Sequence, residues 1–406
     1  MKTDFQCRSC GGTDGELLLD LGKQPPANRL LTDSGEAEPL VPLRLALCRT
    51  CYLVQITDLV PPKELFSDYV YFSSFSETWV RHCKAAAGKH MAEFKLAADS
   101  FVVEVASNDG CLLRHFRDAG IKHLGVEPAG NIAAAARENG IKTVEKFFGE
   151  DTARAIREER GAANIILANN VFAHAPDIND FTRGLATLLA KDGVAVLEFP
   201  HAVEMIDKVE FDTIYHEHVF YFTLSALQPL LARHGMTAWR VERLAMHGGS
   251  LRLYLCREGA RAIEDSVGEL LNDEAARGVG GPTFYREFAG RVESIRTELQ
   301  TAVAQWKSNG EVAAYGAAAK GSTLLNYCGL GSESIAFAVD RSPHKQGKFM
   351  PGVRVPILPV ESLAVRQPVA AVLLAWNFTE EILAQQSAYR EAGGKFIIPI
   401  PEVRVV

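Results

Sequence analysis

Hydrophobic residues in this chain fall into short runs that end in polar clusters, and the clearest is FVVEVASNDG at residues 101–110. Apolar residues surround one carboxylate from Phe101 to Val105, and a small residue, a hydroxyl, an Asn, an Asp and a Gly follow. This pattern predicts a buried parallel strand running into a tight turn, with CLLRHFRDA starting a helix behind it. KHLGVEP predicts a second strand that brings in Glu127. The alternation continues through helix NIAAAARENG, short strand IKTVEKFF, helix TARAIREER, strand ANIILANNVFAHA, helix DINDFTRGLATLLA and strand GVAVLEFP. Alternation of these lengths implies right-handed parallel crossovers and an α/β, doubly wound sheet.

The same pattern returns later. VAAYGAAAKGSTLLNYCG, from Val312, is a second strand-turn-helix; SIAFAVD ends a strand at Asp340, and VAAVLLAWN and KFIIPIP add two more. Residues 262–308 are helical and charged, which reads as a connection with one solvated face. The beginning of the chain, broken by Pro25, Pro26, Pro39 and Pro42, has little core of its own. The expected organisation is a small lobe at 1–66, a central Rossmann-like unit at 67–261, a helical connection at 262–308 and a C-terminal Rossmann-like α/β unit at 309–406.

In doubly wound sheets ligands sit beyond the carboxyl ends of the strands. Those ends carry Glu104, Ala106, Asn108, Gly110, Glu127, Asn169 and Asn170, the candidate cofactor residues. Phe147 and Phe148 either flank an adenine or pack in the core. A dinucleotide fingerprint needs GxGxxG, whereas this turn has one glycine. Glu-x-small-x-Asn-Asp-Gly resembles motif I of S-adenosylmethionine (SAM) dependent methyltransferases; the bland alternative is a structural strand-turn-helix.

Composition narrows the field. The formal net charge of −7 argues against broad nucleic-acid or membrane-surface binding and leaves room for a locally basic pocket. No run of 18 apolar residues occurs and the start has no apolar signal segment, so a soluble, cytoplasmic protein is expected. Of eight cysteines, Cys7 with Cys10 and Cys48 with Cys51 form two CxxC pairs, enough for a closed structural Zn²⁺ site. A redox pair or plain buried thiols are the alternatives. Such a metal would supply stability that the small lobe lacks.

The segment DYVYFSSFS, from Asp68, is either a lid over a ligand or packing between lobes. Tyr215-His216-Glu217-His218 gathers groups that suit acid-base work near neutral pH, with surface histidines that have no function as the alternative. The two histidines would share a face of a strand, but no third ligand is near and HExxH is absent, so a metal is disfavoured. As a regular strand this stretch would also send Glu217 and His218 to opposite faces, so a shared role requires a bend. In MHGGSLR, His247 either contacts substrate or makes a structural hydrogen bond. In the second strand-turn-helix, Lys320 places a cation beside a helix N-terminus, with Tyr315, Asp340, Arg341 and Lys345 nearby, which suits a diphosphate; ordinary α/β loops are the alternative.

Taken together, the paired CxxC motifs, DYVYFSSFS, EVASNDG, HLGVEP, the Asn-Asn strand end before His174, YHEHVFYF, MHGGSLR and YGAAAKGSTLLN resemble the nucleotide-sugar C-methyltransferases of deoxysugar and antibiotic pathways over nearly the whole chain. The resemblance implies a zinc-bearing lobe, a central SAM-binding domain and a C-terminal Rossmann-like domain enclosing a nucleotide-linked 4-keto-6-deoxy sugar that is methylated at C3. It further implies site roles for Tyr69, His174, Tyr215, Glu217 and His218. The expected nucleotide is dTDP and the expected state a monomer. An NAD(P)-dependent oxidoreductase and a non-catalytic zinc-containing binding protein are the competing classes.

Overall fold

The computed structural model describes residues 5–67, 69 and 72–406, with His247 described by its backbone alone. Asp68, Val70 and Tyr71 of the aromatic segment, and the side chain of His247, therefore lie outside the described residues. Among the described residues, three sheets organise the chain.

The N-terminal lobe forms β1 (Gly15–Gln24), β2 (Val41–Cys48) and β3 (Val54–Ile56), joined antiparallel. Regular structure survives here because Pro42 is only the second residue of β2, outside the stretch that pairs with β3, and Pro25, Pro26 and Pro39 fall in the connection.

The central sheet uses β4 (Phe101–Val105), β5 (Lys122–Val126), β6 (Thr143–Val144), β7 (Ala163–Asn169) and β8 (Leu189–Pro200), all parallel. A two-residue strand, β9 (Phe220–Tyr221), leaves this region and pairs antiparallel with β3, as the fourth strand of the lobe. β10 (Met236–Leu244) and β11 (Ser250–Arg257) complete the central sheet, in the order β10-β11-β8-β7-β4-β5-β6. β4 is buried throughout, as a parallel strand covered on both faces must be.

The charged connection folds as helices Asp265–Ala276 and Phe288–Lys307. The third sheet has β12 (Val312–Tyr315), β13 (Ala338–Val339), β14 (Ile357–Leu358), β15 (Ala370–Leu373), β16 (Lys395–Ile398) and β17 (Arg404–Val405), in the order β14-β13-β12-β15-β16-β17.

In the central sheet the chain runs from β4 outward to β6 and then returns to β7 on the other side, so the order reverses between β4 and β7. The third sheet repeats this move between β12 and β15. Each reversal opens a crevice at the strand ends, and both crevices hold the polar residues described below. Among the described residues no helix is long and apolar enough to cross a membrane.

Candidate active site

Four sulfurs come together in the lobe. The ligand atoms of Cys7, Cys10, Cys48 and Cys51 all lie within 4.8 Å of one another, with Cys7 to Cys51 and Cys10 to Cys48 at 3.6 Å. Tetrahedral Zn–S bonds of about 2.3 Å place sulfurs about 3.8 Å apart, so the donor set fits Zn²⁺ with no open position. Gly12 N–H donates to the Cys10 sulfur and Thr50 N–H to the Cys48 sulfur, each at 3.4 Å. Two similar knuckles thus face one another.

At the first crevice the turn after β4 is built from strained residues. Ala106, Asn108 and Gly110 have φ of 53°, 48° and 82°, and Asn170 across the crevice has 54°. Gly110 is required twice over, because a Cβ there would lie 2.4 Å from Ile141 Cγ1. Glu127, buried past the end of β5, accepts from Asn108 N–H at 2.9 Å and Ala129 N–H at 3.0 Å. Burial nonetheless pushes its carboxyl above the ordinary range. Glu104 is buried with Oε2 unpartnered, and desolvation raises it strongly. Asn169 presents a buried Oδ1 without a partner. These unmet polar atoms surround a turn ready for a polar ligand. The aromatic segment crosses it: Ser73 N–H donates to Asn108 Oδ1 at 2.9 Å and Ser74 N–H to Asp109 Oδ2 at 3.0 Å. Phe148 packs edge-on against Phe181 at 5.0 Å, whereas Phe147 is 40% exposed, so the pair divides between core and surface.

Residues 215–218 form a turn rather than a strand, and this supplies the bend that a shared role needs. His218 Nδ1 is 2.9 Å from the Thr213 carbonyl, which can only accept. In the neutral ring Nδ1 therefore carries the hydrogen and Nε2 accepts from the Tyr215 hydroxyl at 2.7 Å. His174, in the short 3₁₀ turn Phe172–His174 beyond β7, has its ring 4.9 Å from that of His218 and stacks on Phe66 at 5.6 Å. Burial alone pulls His174 down to about 4, so it is neutral near pH 7. Glu217 is 2% exposed and accepts from Tyr69 Oη at 3.1 Å and from Asn28 of the lobe. Burial pushes Glu217 up to about 7. His216 turns away, with Nε2 3.3 Å from the Pro42 carbonyl. The described histidines of this turn join no group of potential metal ligands.

The second crevice repeats a device of the first. Asp340, at the end of β13, accepts from Ala317 N–H and Ser342 N–H, both at 2.8 Å, as Glu127 does for the first turn. Lys345 Nζ donates to the Ala317 carbonyl at 2.9 Å. Tyr315 is buried against Phe396, and Arg341 is exposed, 3.8 Å from Glu381. Lys320 lies over the Trp376 ring, 3.9 Å from its centroid, and donates to Asn377 Oδ1. Its charge faces Asp212 and Glu210, which burial raises to about 6 and about 7 and which Lys320 pulls back. Trp376 Nε1 donates to Asp212 Oδ2 at 2.7 Å. Lys320 is thus already engaged with the central region, and a phosphate there would compete with two carboxylates.

Sequence reading brought together Tyr69, His174, Tyr215, Glu217 and His218, and these do converge. It missed Asn28, which lies in the proline-broken connection with no periodicity to flag it. It also missed Asp212, Trp376 and Asn377. For the last two a signal existed, since they follow the apolar strand VAAVLL at its carboxyl end.

Comparison with known proteins gives three matching family descriptions along the chain: a zinc binding domain over residues 7–66, a methyltransferase domain over 79–241 and a C-methyltransferase C-terminal domain over 245–401. A curated relative, the C-methyltransferase NovU of Streptomyces niveus, is 37% identical over 405 residues, covering 99% of this chain and 96% of that protein. Solved structures give weaker likenesses. Magnesium protoporphyrin IX methyltransferase of Synechocystis PCC 6803 with bound SAM is 13% identical with a TM-score of 0.34, covering 44% of this chain and 79% of that one. An S-adenosylmethionine-dependent methyltransferase of Clostridium acetobutylicum ATCC 824 is 9% identical with a TM-score of 0.36, covering 44% and 92%.

Proposed function

We propose, from the premise that this chain belongs to the C-methyltransferase family, that it transfers a methyl group from SAM to C3 of a nucleotide-linked 4-keto-6-deoxy sugar. The observation that carries the reading is the Thr213–His218–Tyr215 chain of hydrogen bonds. In the neutral ring it directs the basic nitrogen at a phenol, beside His174 and Glu217.

Carbon attacks a sulfonium methyl only once it is nucleophilic, and the C4 ketone acidifies the C3 hydrogen. His218 Nε2 takes that proton, directly or through the Tyr215 hydroxyl, and an enolate forms with its charge on the C4 oxygen. The C3–methyl bond then forms as the sulfur–methyl bond breaks, releasing S-adenosylhomocysteine. Proton transfer and oxyanion stabilisation contribute on the order of 10² to 10⁴ each in rate. SAM would sit at the first crevice, where Glu104, Asn108, Glu127 and Asn169 offer polar atoms around the strained turn. The nucleotide end of the sugar, expected as dTDP, would lie toward the second crevice, whose turn Asp340 and Lys345 hold from behind. The four cysteines would hold Zn²⁺ with a structural role. The chain is proposed to act as a monomer.

The test is mass spectrometry after incubation with SAM and a nucleotide-linked 4-keto-6-deoxy sugar in D₂O, beside His218→Asn. One added methyl with the wild type, and neither methylation nor C3 exchange with the variant, is the expected outcome. Exchange that survives in the variant would move the base elsewhere, with His174 next.

A further inference from the structure

We propose that Asn28, supplied by the N-terminal lobe, is a positioning residue for the methyl-transfer site, holding the Glu217 carboxylate through its side-chain amide. This rests on the reading that Glu217 belongs to that site. Asn28 Nδ2 donates to Glu217 Oε1 at 2.8 Å and to Oε2 at 2.9 Å, so one amide straddles both oxygens. Tyr69 adds a donor to Oε2 at 3.1 Å. A cavity of about 110 Å³ opens onto this group, walled by Pro26, Val60 and Leu65.

A carboxylate buried this deeply stays ionised only while donors or cations face it. Among the described residues, the other charged or titratable groups near Glu217 are Tyr69, Arg29 and Glu64 on the cavity wall, His216 and His218 on its own turn, His174 against the His218 ring, and Lys345 beyond them. Lys345 donates to the Ala317 carbonyl and lies 3.7 Å from Asp340, and it favours the Glu217 carboxylate through its charge. An amide neither gains nor loses a proton near neutral pH, so its donation is constant while its neighbours titrate. The Asn28 and Tyr69 donors both oppose the rise that burial imposes on Glu217.

The loop that carries Asn28 is itself fixed. Leu30 N–H donates to the Asn28 carbonyl at 2.9 Å, and Leu31 bridges to Phe349 of the C-terminal region. The position of Glu217 therefore depends on the lobe as well as on its own turn.

The test pairs two readouts. The first is the pH profile of kcat/KM for wild type, Asn28→Ala and Asn28→Asp at saturating SAM. The second is ¹³C NMR titration of the Glu217 carboxyl in substrate-free protein, with Glu217→Gln identifying its signal. Losing the donor disfavours the ionised form, so in Asn28→Ala the Glu217 titration and the limb it governs should move to higher pH. Asn28→Asp, which adds a facing carboxylate, should move them further. At pH 7 kcat should fall roughly 10-fold to 10²-fold while the KM for SAM holds. An activity loss equal at every pH, with an unmoved titration, would reduce Asn28 to a structural residue and overturn the proposal, as would full activity with an unmoved titration. Should the wild type methylate no ketosugar while the carboxyl titration still moves, the parent reading fails and the Asn28 clamp stands.

Discussion

The Tyr215 hydroxyl donates to His218 Nε2 at 2.7 Å, while the opposite ring nitrogen is committed to the Thr213 carbonyl. The imidazole is thereby held in one tautomer by a backbone atom, which side-chain substitution at position 213 leaves in place. Tyr215→Phe should therefore keep the tautomer and remove only the phenol. C3 exchange and methylation should drop by about 10² to 10⁴ in His218→Asn and by less in Tyr215→Phe, measured by deuterium wash-in and product mass. Equal losses in both would mean that the phenol itself meets the C3 hydrogen.

Gly110→Ala should destabilise the fold by about 1–3 kcal/mol, since it combines a left-handed φ with overlap onto Ile141. Chemical denaturation would read the stability. The affinity for SAM should weaken in parallel, because Asn108, whose backbone N–H Glu127 holds, lies in the same turn.

Removing the metal should reach beyond the lobe. β9 pairs with β3 and begins two residues after His218, so Cys48→Ser or a strong chelator should lower the melting temperature and abolish methyl transfer together. Calorimetry and the methylation assay check this on one sample, and restored zinc should return both.

Lys320→Met should change stability in a pH-dependent way, since burial pulls the Lys320 ammonium down to about 8 and the substitution removes that desolvation cost along with the attraction to Asp212 and Glu210. Burial raises the Asp212 and Glu210 carboxyls to about 6 and about 7, so the stability that these groups contribute is full below their unfolded pKa of about 4 and is lost as pH rises through 6 to 7. Lys320 opposes both rises, so without it the loss above pH 6 should deepen. Relative to the wild type, the melting temperature of the variant should fall as pH rises from 5 to 8. A constant gap would remove the electrostatic account.

The alternating pattern made the two doubly wound sheets legible, because β4, β7, β12 and β15 are apolar runs that two covered faces demand. The turn at residues 215–218 was legible in its residue types but not in its shape. Nothing in Tyr215 to His218 announces that the chain folds into a turn and then gives only two residues to a strand. Contacts between distant segments were the least readable. Asn28 meets Glu217, and Trp376 meets Asp212, through packing that no local period encodes. Lys320 illustrates the point, since beside a helix N-terminus it reads as an anion ligand, yet folding brings two carboxylates to it first.

The pairing of Val54 with Tyr221 also sets an order of events during synthesis. The lobe leaves the ribosome before β9 does, and its sheet lacks a fourth strand until Phe220 and Tyr221 have emerged. Such a long-range pairing raises the contact order and slows completion. Until then the edge of β3 stays open to other chains. A nascent chain stalled before residue 220 should thus be recognised by chaperones even when its four cysteines have captured their metal.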